Sequence, residues 1–494
     1  MPNQTLLDDF RALSTTNNEY SRNRDRWNFL YQSYVGGDEY RKGLHLTRYA
    51  LETDGEYKQR LVTTPLDNHC ASVVSTYMSF LFRKDCERDL GDWDGLPDVE
   101  SFLKDCDYEG RSFDQFMRDV ATWSSVFGHC WVLMTKPNVG AATLGQEMDL
   151  GVRPYVNLMT PLVVSDWRYQ RSANGAYELV YIKYIEEVVD KITIVREWTL
   201  DSIKTWEMDT EKTEARLTAE EPNGLGMIPA VLVYNRRSVV KAVGVSDITD
   251  IADAQKMIYN LTSENEQSIR LDGHPTLVIP PTAQLGSGAG ALIQLQDGSD
   301  PGLNPYYLEH SSSGVNSIHA SVEKLVESID RMAHTGGVRG TQKLELSGVA
   351  METEFQLLNA KLAEKASNLE LAEEQLWQLF GFYQGRAWTG EVEYPKSFHI
   401  RDDGKKIQNL VTAKSAATDP RVLDVIDHEL VELLGEDPDL VLTSSEYLPA
   451  EQLPATEPFE PHKMFNPLTG EEVIARTEAE HLAYAEQGYI HKED

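Results

Sequence analysis

The sequence predicts an α+β fold in which helices predominate, and three observations carry that expectation. Apolar residues recur at helical spacing over roughly the first 140 residues, period-two patterns take over from about 150 to 240, and three long helical patterns fill most of the remainder. With 494 residues and 41% hydrophobic side chains, the chain exceeds what one core usually holds, so two to four structural units are expected.

The helical part opens with the aromatic-rich "RWNFLYQSYVGGDEY" and continues with "NHCASVVSTYMSFLFRKD", an apolar segment ended by charge. In "SFDQFMRDVATWSSVFGHCWVLMTK", Phe113, Phe116, Val120, Trp123 and Phe127 keep helical spacing until Gly128 breaks it, and "CWVLM" follows as a buried strand. "RPYVNLMTPLVVSDWRY", "AYELVYIKYIEEV", "KITIVREWTL" and "SIKTWEMD" read as strands, with Asn174-Gly175 as a turn, and "NGLGMIPAVLVYNRR" closes this β unit.

A long helix is expected from Ser246, placed as its N-cap, to Leu271, with Ile248, Ile251, Ile258 and Leu261 at helical spacing. A small β unit follows, in which "HPTLVIPP" and "ALIQLQDG" flank the flexible "GSGAG" and "NPYYLEH" adds a further extended piece. From about Val315 a second long helix steps through Val315, Ile318, Val322, Leu325, Ile329 and Met332 as a heptad seam. A segment containing Gly336, Gly337, Gly340 and Gly348 then leads to a third helix from Val349 to Tyr383, about 50 Å long at 1.5 Å per residue. Its stripe is Met351, Phe355, Leu358, Leu362, Leu369, Leu376 and Leu379, and a rod of that length does not fit inside a small globule.

Two shorter helices are expected around the Asp419-Pro420 break in "KKIQNLVTAKSAATDPRVLDVIDHELVELLG". From Glu436 onward fourteen acidic residues face three basic ones, with prolines that include Pro438, Pro454, Pro458, Pro461 and Pro467. That composition predicts an extended tail adhering to a surface, with a turn at Asn466-Pro467 and a short amphipathic helix through Val473, Ile474, Leu482 and Tyr484.

Asp and Glu outnumber Lys and Arg by 79 to 46, a formal charge of -33, which argues against broad sequence-independent binding to nucleic acid. No run of 18 apolar residues exists and the first twenty residues lack the order of a signal peptide, so folding in a cytoplasm without a membrane is expected. Cys70, Cys86, Cys106 and Cys130 are too few and too scattered for a disulfide framework and read as free thiols.

The candidate chemistry is sparse. The glycine-containing segment 336–348 has neither G-x-x-x-x-G-K-[ST] nor G-x-G-x-x-G and lies between helices, so its glycines are read as serving mobility and turn geometry. His69, Cys70, His129 and Cys130 nominally complete a zinc set and support a metal-dependent hydrolase as an alternative, but their spacing is not a finger's and a packed core is the simpler reading. No G-x-S-x-G elbow or H-E-x-x-H pair is present, no cofactor is expected, and the chain reads as a non-enzyme.

The order of these elements resembles the portal proteins of tailed bacteriophages over about residues 25 to 435. The segments that carry the resemblance are "GMIPAVLVYNRRSVVKAVGVSDITDIADAQKMIYNLTSE", "LDGHPTLVIPP", "IQLQDGSDPGLNPYYLEH" and "LELSGVAMETEFQLLNAKLAEKA". The resemblance implies a wing at 1–243, stem helices at 244–272 and 313–335, and a clip at 273–312. It also implies a channel loop at 336–348, a spine helix with wing completion at 349–403, a crown at 404–435, and an acidic tail at 436–494 beyond the family's simplest pattern.

It further implies a ring, dodecameric in the virion, at the portal vertex of a capsid assembled in a bacterial cytoplasm. Double-stranded DNA would pass through without sequence preference during packaging and ejection. Terminase and adaptor or head-completion proteins would dock on the clip, and the major capsid or scaffolding protein is a further expected partner.

On this sequence the clip docking residues are Leu277, Val278, Ile279, Leu292, Ile293 and Leu295, expected to pair strands between neighbouring subunits. The stem packs through Ile318, Val322, Leu325 and Ile329, and the channel loop presents Gly336, Gly337, Arg339, Gly340, Lys343 and Gly348, with Arg339 and Lys343 its two cations. The net negative charge suits a conduit in which DNA must slide, and a non-portal scaffold or coat component is the remaining alternative.

Overall fold

The computed structural model describes residues 4–273 apart from 138 and 141–143, then 276–279, 284–285, 293–294, 305–308, 313–339, 348–398 and 403–433 apart from 418. It also describes 462–491 apart from 467, 468, 478, 479, 481, 482, 486 and 488. The chain divides into two compact units, Met1–His399 and Ile400–Asp494.

The first unit begins with helices α1 (Gln4–Ser14), α2 (Asn18–Val35), α3 (Gly37–Lys42), α4 (Asp54–Thr63) and α5 (His69–Leu81). Side-chain caps set their starts: Asn17 accepts from Glu19 N–H at 2.8 Å, Thr53 and Glu56 form a capping box, and Asn68 accepts from Ala71 N–H at 2.9 Å. After strand β1 (Glu87–Asp89) come α6 (Pro97–Lys104), α7 (Phe113–Phe127), strand β2 (His129–Thr135) and α8 (Leu144–Asp149). The α7 stripe behaves as its spacing predicts, with Phe113, Phe116, Val120 and Phe127 buried, and Gly128 ends the helix at φ 92°.

All seven residues of β2 are buried because it is the middle strand of a sheet. Its neighbours are β3 (Tyr155–Met159) and β9 (Ala230–Tyr234), both antiparallel to it. Strands β4 (Val164–Arg171), β5 (Tyr177–Val189), β6 (Ile192–Thr199), β7 (Ser202–Asp209) and β8 (Glu214–Pro222) form a second, five-stranded antiparallel meander in chain order. The Asn174-Gly175 turn joins β4 to β5, with Gly175 at φ 88°. Strand β8 escaped the sequence reading because it is an edge strand with one buried residue, Ala215, and no apolar run to reveal it.

Helix α9 (Thr249–Gly273) starts two residues later than the Ser246 cap predicts. The Ser246 hydroxyl instead donates to Val126 O at 2.7 Å while accepting from Ile248 N–H at 3.1 Å, which ties the approach to α9 onto the corner after α7. Strands β10 (Thr276–Val278), β11 (Gln284–Leu285), β12 (Ile293–Gln294) and β13 (Tyr306–Leu308) follow, β10 pairing with β13 and β11 with β12. The β10–β13 pairing sets the end of α9 beside the start of α10 (Ser313–Ala333), so the two helices form an antiparallel hairpin with a small β tip. The short α11 (Gly336–Arg339) comes next, and α12 (Gly348–Gln384) is 37 residues long, the rod expected.

Leu358, Leu362, Leu369, Leu376 and Leu379 of α12 are buried, and they enter the one extended core that also takes in α5, α7, β2 and the base of α9. Near its end α12 is wrapped on several sides: Trp377 stacks on Trp388 at 5.5 Å and meets Phe102 at 5.6 Å and Trp93 at 6.3 Å. The chain then returns to its first third, where β14 (Glu391–Glu393) pairs with β1. A fully buried carboxylate fastens that return, Glu373 accepting from Tyr394 OH at 2.6 Å and from Trp377 Nε1 at 3.2 Å while pairing with Arg88.

In the second unit α13 (Asp403–Ala416) and α14 (Pro420–Leu433) are the two helices expected around Asp419-Pro420, joined by a Lys414–Asp427 ion pair. The extended-tail expectation is corrected over 462–491. There β15 (His462–Phe465) lies between β16 (Glu472–Ala475) and β17 (Ile490–His491) in an antiparallel sheet. Val473 and Ile474 therefore sit on a strand rather than a helix, and the turn after Phe465 closes with Gly470 N–H donating to Asn466 O at 2.9 Å. Among the described residues no helix is long and apolar enough to cross a membrane.

Candidate functional site

The base of the α9–α10 hairpin carries a buried polar network. Ser263 is the last buried residue described in α9, and Ile329 is the first in α10. Fully buried positions therefore stop about 15 Å before the end of α9 and resume about 24 Å into α10, at 1.5 Å per residue. Arg60 reaches the last of them in α9: its guanidinium donates to both carboxylate oxygens of Glu52 at 2.7 and 2.8 Å and to Ser263 Oγ at 3.0 Å.

Of the expected stem residues, Ile329 is fully buried, Val322 and Leu325 are half-buried against the core, and Ile318 is half-buried farther out. Among the expected clip residues, Leu277, Val278 and Ile279 are half-buried. Ile293 lies on β12, while Leu292 and Leu295 fall outside the described residues.

Helices flank the expected channel loop. Gly336 and Gly337 open α11 and Gly348 opens α12, while Gly340 and Lys343 lie outside the described residues. Arg339, expected as one of the two cations of this segment, stands at the end of α11. Its guanidinium donates to Asp330 Oδ1 at 2.9 Å and to Ser72 Oγ at 3.0 Å, and meets His69 Nδ1 at 3.1 Å. The partners stand on α10 and α5, so the end of α11 is clamped to both.

On the other side, the Tyr77 hydroxyl donates to the carbonyl of Ala333, the last residue of α10, at 2.6 Å and accepts from Lys361 at 2.9 Å. Lys361 reaches Asp247 Oδ1 at 3.3 Å, and Lys365 takes the other carboxylate oxygen together with Asn235 Oδ1 and Ser125 Oγ, the last at 2.7 Å. All three ammonium hydrogens of Lys365 are thus used. Burial alone would raise the Asp247 carboxyl, but Lys365 and Lys361 outweigh it and hold it down to about 2. Burial likewise pulls Lys361 down, and Asp247 and Tyr77 reverse it, so that lysine sits above its ordinary value.

This network had a signal in the sequence that went unread. Lys365 continues the 4, 3, 4 stepping of Leu358, Leu362 and Leu369, so a charge stands on the apolar stripe of α12. Such a position demands a buried anion, and Asp247 supplies it.

The same geometry does not favour the metal-hydrolase alternative. His69 is taken by Arg339 and lies 3.2 Å from Asp67, whereas His129 accepts from Gly244 N–H at 3.3 Å and packs edge-on against Trp27 at 5.5 Å. Burial holds His129 down to about 3 and pushes the Cys70 and Cys130 thiols well up. Among the described residues no three His, Cys, Asp or Glu side chains are placed to hold a metal. The cleft of about 360 Å³ lined by Tyr49, Glu52, Arg60, Gln267 and Arg270 brings together no nucleophile and base.

No protein-family model and no curated protein matches the sequence. Among solved structures, the chain is similar to one from the neck of an empty gene transfer agent particle computed with C6 symmetry. That pair is 11% identical, covering 82% of this chain and 100% of that one, with a TM-score of 0.46. A chain of the native gene transfer agent virion is 10% identical over 83% of this chain and 99% of its own, with a TM-score of 0.44. One from the neck of the native particle computed with C12 symmetry is 12% identical over 75% and 90%, with a TM-score of 0.40.

Proposed function

We propose that the chain is the portal subunit of a phage-like particle, a non-enzymatic structural and docking protein that assembles as a ring of twelve. The observation that carries this reading is the α9–α10 hairpin, which has no fully buried position among its described residues for much of its length and ends in two-stranded pairs. An isolated two-stranded ribbon is marginal in water, and a half-buried heptad seam asks for company, so neighbouring copies are the natural cover for both.

In this reading α9 and α10 are the stem, the β tip is the clip where strands pair between neighbours, and α12 is the spine. Terminase and then an adaptor or head-completion protein dock on the clip, and capsid or scaffolding protein meets the ring from outside. The segment between α11 and α12 is the one assigned to the channel. Because Arg339 is engaged by Asp330, Lys343 is the cation assigned to weak, sequence-independent contact with double-stranded DNA. The particle vertex is the proposed location, with assembly in the bacterial cytoplasm.

Negative-stain microscopy and mass photometry of the purified full chain test this directly. Closed rings of about 670 kDa with a central hole are expected for twelve copies of 55.8 kDa. Monomers would overturn the reading, and sheets or open filaments would point to the coat or scaffold alternative.

A further inference from the structure

The loop between β9 and α9 is braced by its own hydrogen bonds. Val245 N–H donates to Arg236 O at 2.9 Å, Arg237 and Gly244 form an antiparallel bridge, and the Ser238 hydroxyl donates to Val243 O at 2.6 Å. Ala242 N–H donates to the Tyr234 hydroxyl at 3.1 Å. So many internal bonds give the loop a fixed shape, yet Val239 at its tip is 104% exposed. A rigid loop that holds an aliphatic side chain fully in water gains nothing from it within this chain.

Cations surround that tip. Arg236, Arg237 and Lys241 on the loop are exposed, as is Arg171 on β4. Lys241 Nζ stands 3.0 Å from the centroid of the Tyr177 ring and 4.2 Å from that of Tyr169, and the Arg171 guanidinium carbon is 4.9 Å from the Tyr177 centroid. Arg237 covers Tyr234 at 5.3 Å. The cross-strand pair Arg171 and Tyr177 keeps guanidinium and ring together, so two cations share one ring. Burial and the neighbouring Arg171 both pull the Lys241 ammonium below the ordinary lysine value, the mark of a cation short of an anion. Among the described residues none of the four pairs with a carboxylate, in a chain whose net charge is -33.

We infer that this patch docks an acidic protein segment that carries an apolar side chain, its carboxylates pairing with Arg171, Arg237 and Lys241 while its apolar group covers Val239. Duplex DNA fits less well, because a phosphate backbone offers nothing to an exposed valine and the acidic chain repels it. Single-stranded nucleic acid fits less well too, since the tyrosine faces that would stack on bases already carry cations. The inference stands whether or not the chain forms a ring.

The test uses the full-length protein and a fluorescent synthetic peptide with four glutamates around a central leucine, followed by anisotropy in low salt. Binding is expected, weakened roughly tenfold by the Arg171→Gln/Lys241→Gln double variant, several-fold by Val239→Ser, and little by Lys241→Arg. A peptide with serine for the leucine should match the Val239→Ser loss on the unaltered protein. Absence of binding, equal affinity in the double variant, or tighter binding of a 20-base-pair duplex than of the peptide would each overturn the inference.

Discussion

His129 is sealed among rings at the start of β2 with its Nδ1 accepting from Gly244 N–H, so the folded imidazole stays neutral down to about pH 3. The unfolded chain takes up that proton as the pH falls below about 6.5, and uptake by the unfolded state alone favours unfolding throughout the window between the two values. Between pH 7 and pH 5 this one residue should remove about 2 kcal/mol of stability. His45, held down to about 4 by burial and Lys256, acts in the same direction. Denaturant titrations at both pH values should show a shallower loss for His129→Asn than for the unaltered chain, and equal losses would refute the assignment. Asp247 has the opposite charge logic: Asp247→Ala leaves Lys365 and Lys361 facing each other in the interior and should cost about 3–5 kcal/mol. The Asp247→Ala/Lys365→Met pair should cost less than the sum of its single variants, which a double-mutant cycle measures.

Between elements, the corner after α7 and the approach to α9 meet backbone to backbone. A Cβ on Gly244 would lie 1.9 Å from Gly128 O, and one on Gly128, already at φ 92°, would lie 2.6 Å from the Gly244 carbonyl carbon. No side chain can yield there, so Gly244→Ala should cost about 3 kcal/mol or more. Hydrogen exchange should quicken around Ser246–Ala252, where the same corner is held by Ser246, and a melting temperature within a degree of the original would be inconsistent with this packing. The β tip calls for a different experiment because none of its described residues is fully buried. Replacing both Ile279 and Ile293 with Asp should leave near-ultraviolet circular dichroism unchanged while reducing the ring fraction seen by mass photometry. Full-sized rings that still bind adaptor would remove the clip from the proposed assembly surface.

For the whole molecule, the division into two units makes a prediction about truncation. The first unit includes β14 and Tyr394, which return to β1 and Phe82 in the first third of the chain, and Phe398, whose N–H donates to Asn359 of α12 at 2.7 Å. A chain ended after His399 should therefore fold with the cooperative unfolding of the intact first unit. A chain ended after Gln384 leaves Glu373 without Tyr394, strips Trp377 of Trp388 and unpairs β1, and should precipitate or expose hydrophobic surface to dye. Comparable solubility and melting of the two truncations would show that the return is dispensable.

The succession of elements was legible in the sequence because periodicity, caps and turn signals act within a few residues of one another. The α7 stripe and its Gly128 stop, the buried run of β2, the Asn174-Gly175 hairpin and the 37-residue α12 all follow from such local rules. Strand β8 and the sheet of β15, β16 and β17 were not legible, because short strands with few buried residues exist only through partners elsewhere in the chain. The roles of the charged residues were settled in the same way. Lys365 showed on its helix that a buried anion was needed, but only the fold brings Asp247 to it across 118 positions. The sequence marked Arg339 as a cation, but only the fold brings His69 and Ser72, 270 and 267 positions away, against it. The sequence by itself determined the long helices, the buried strand β2 and the hairpin turn, whose signals are local. Tertiary structure decided which polar groups would meet, because a buried charge is satisfied by whatever packing sets beside it, and no local window of the chain records that neighbour.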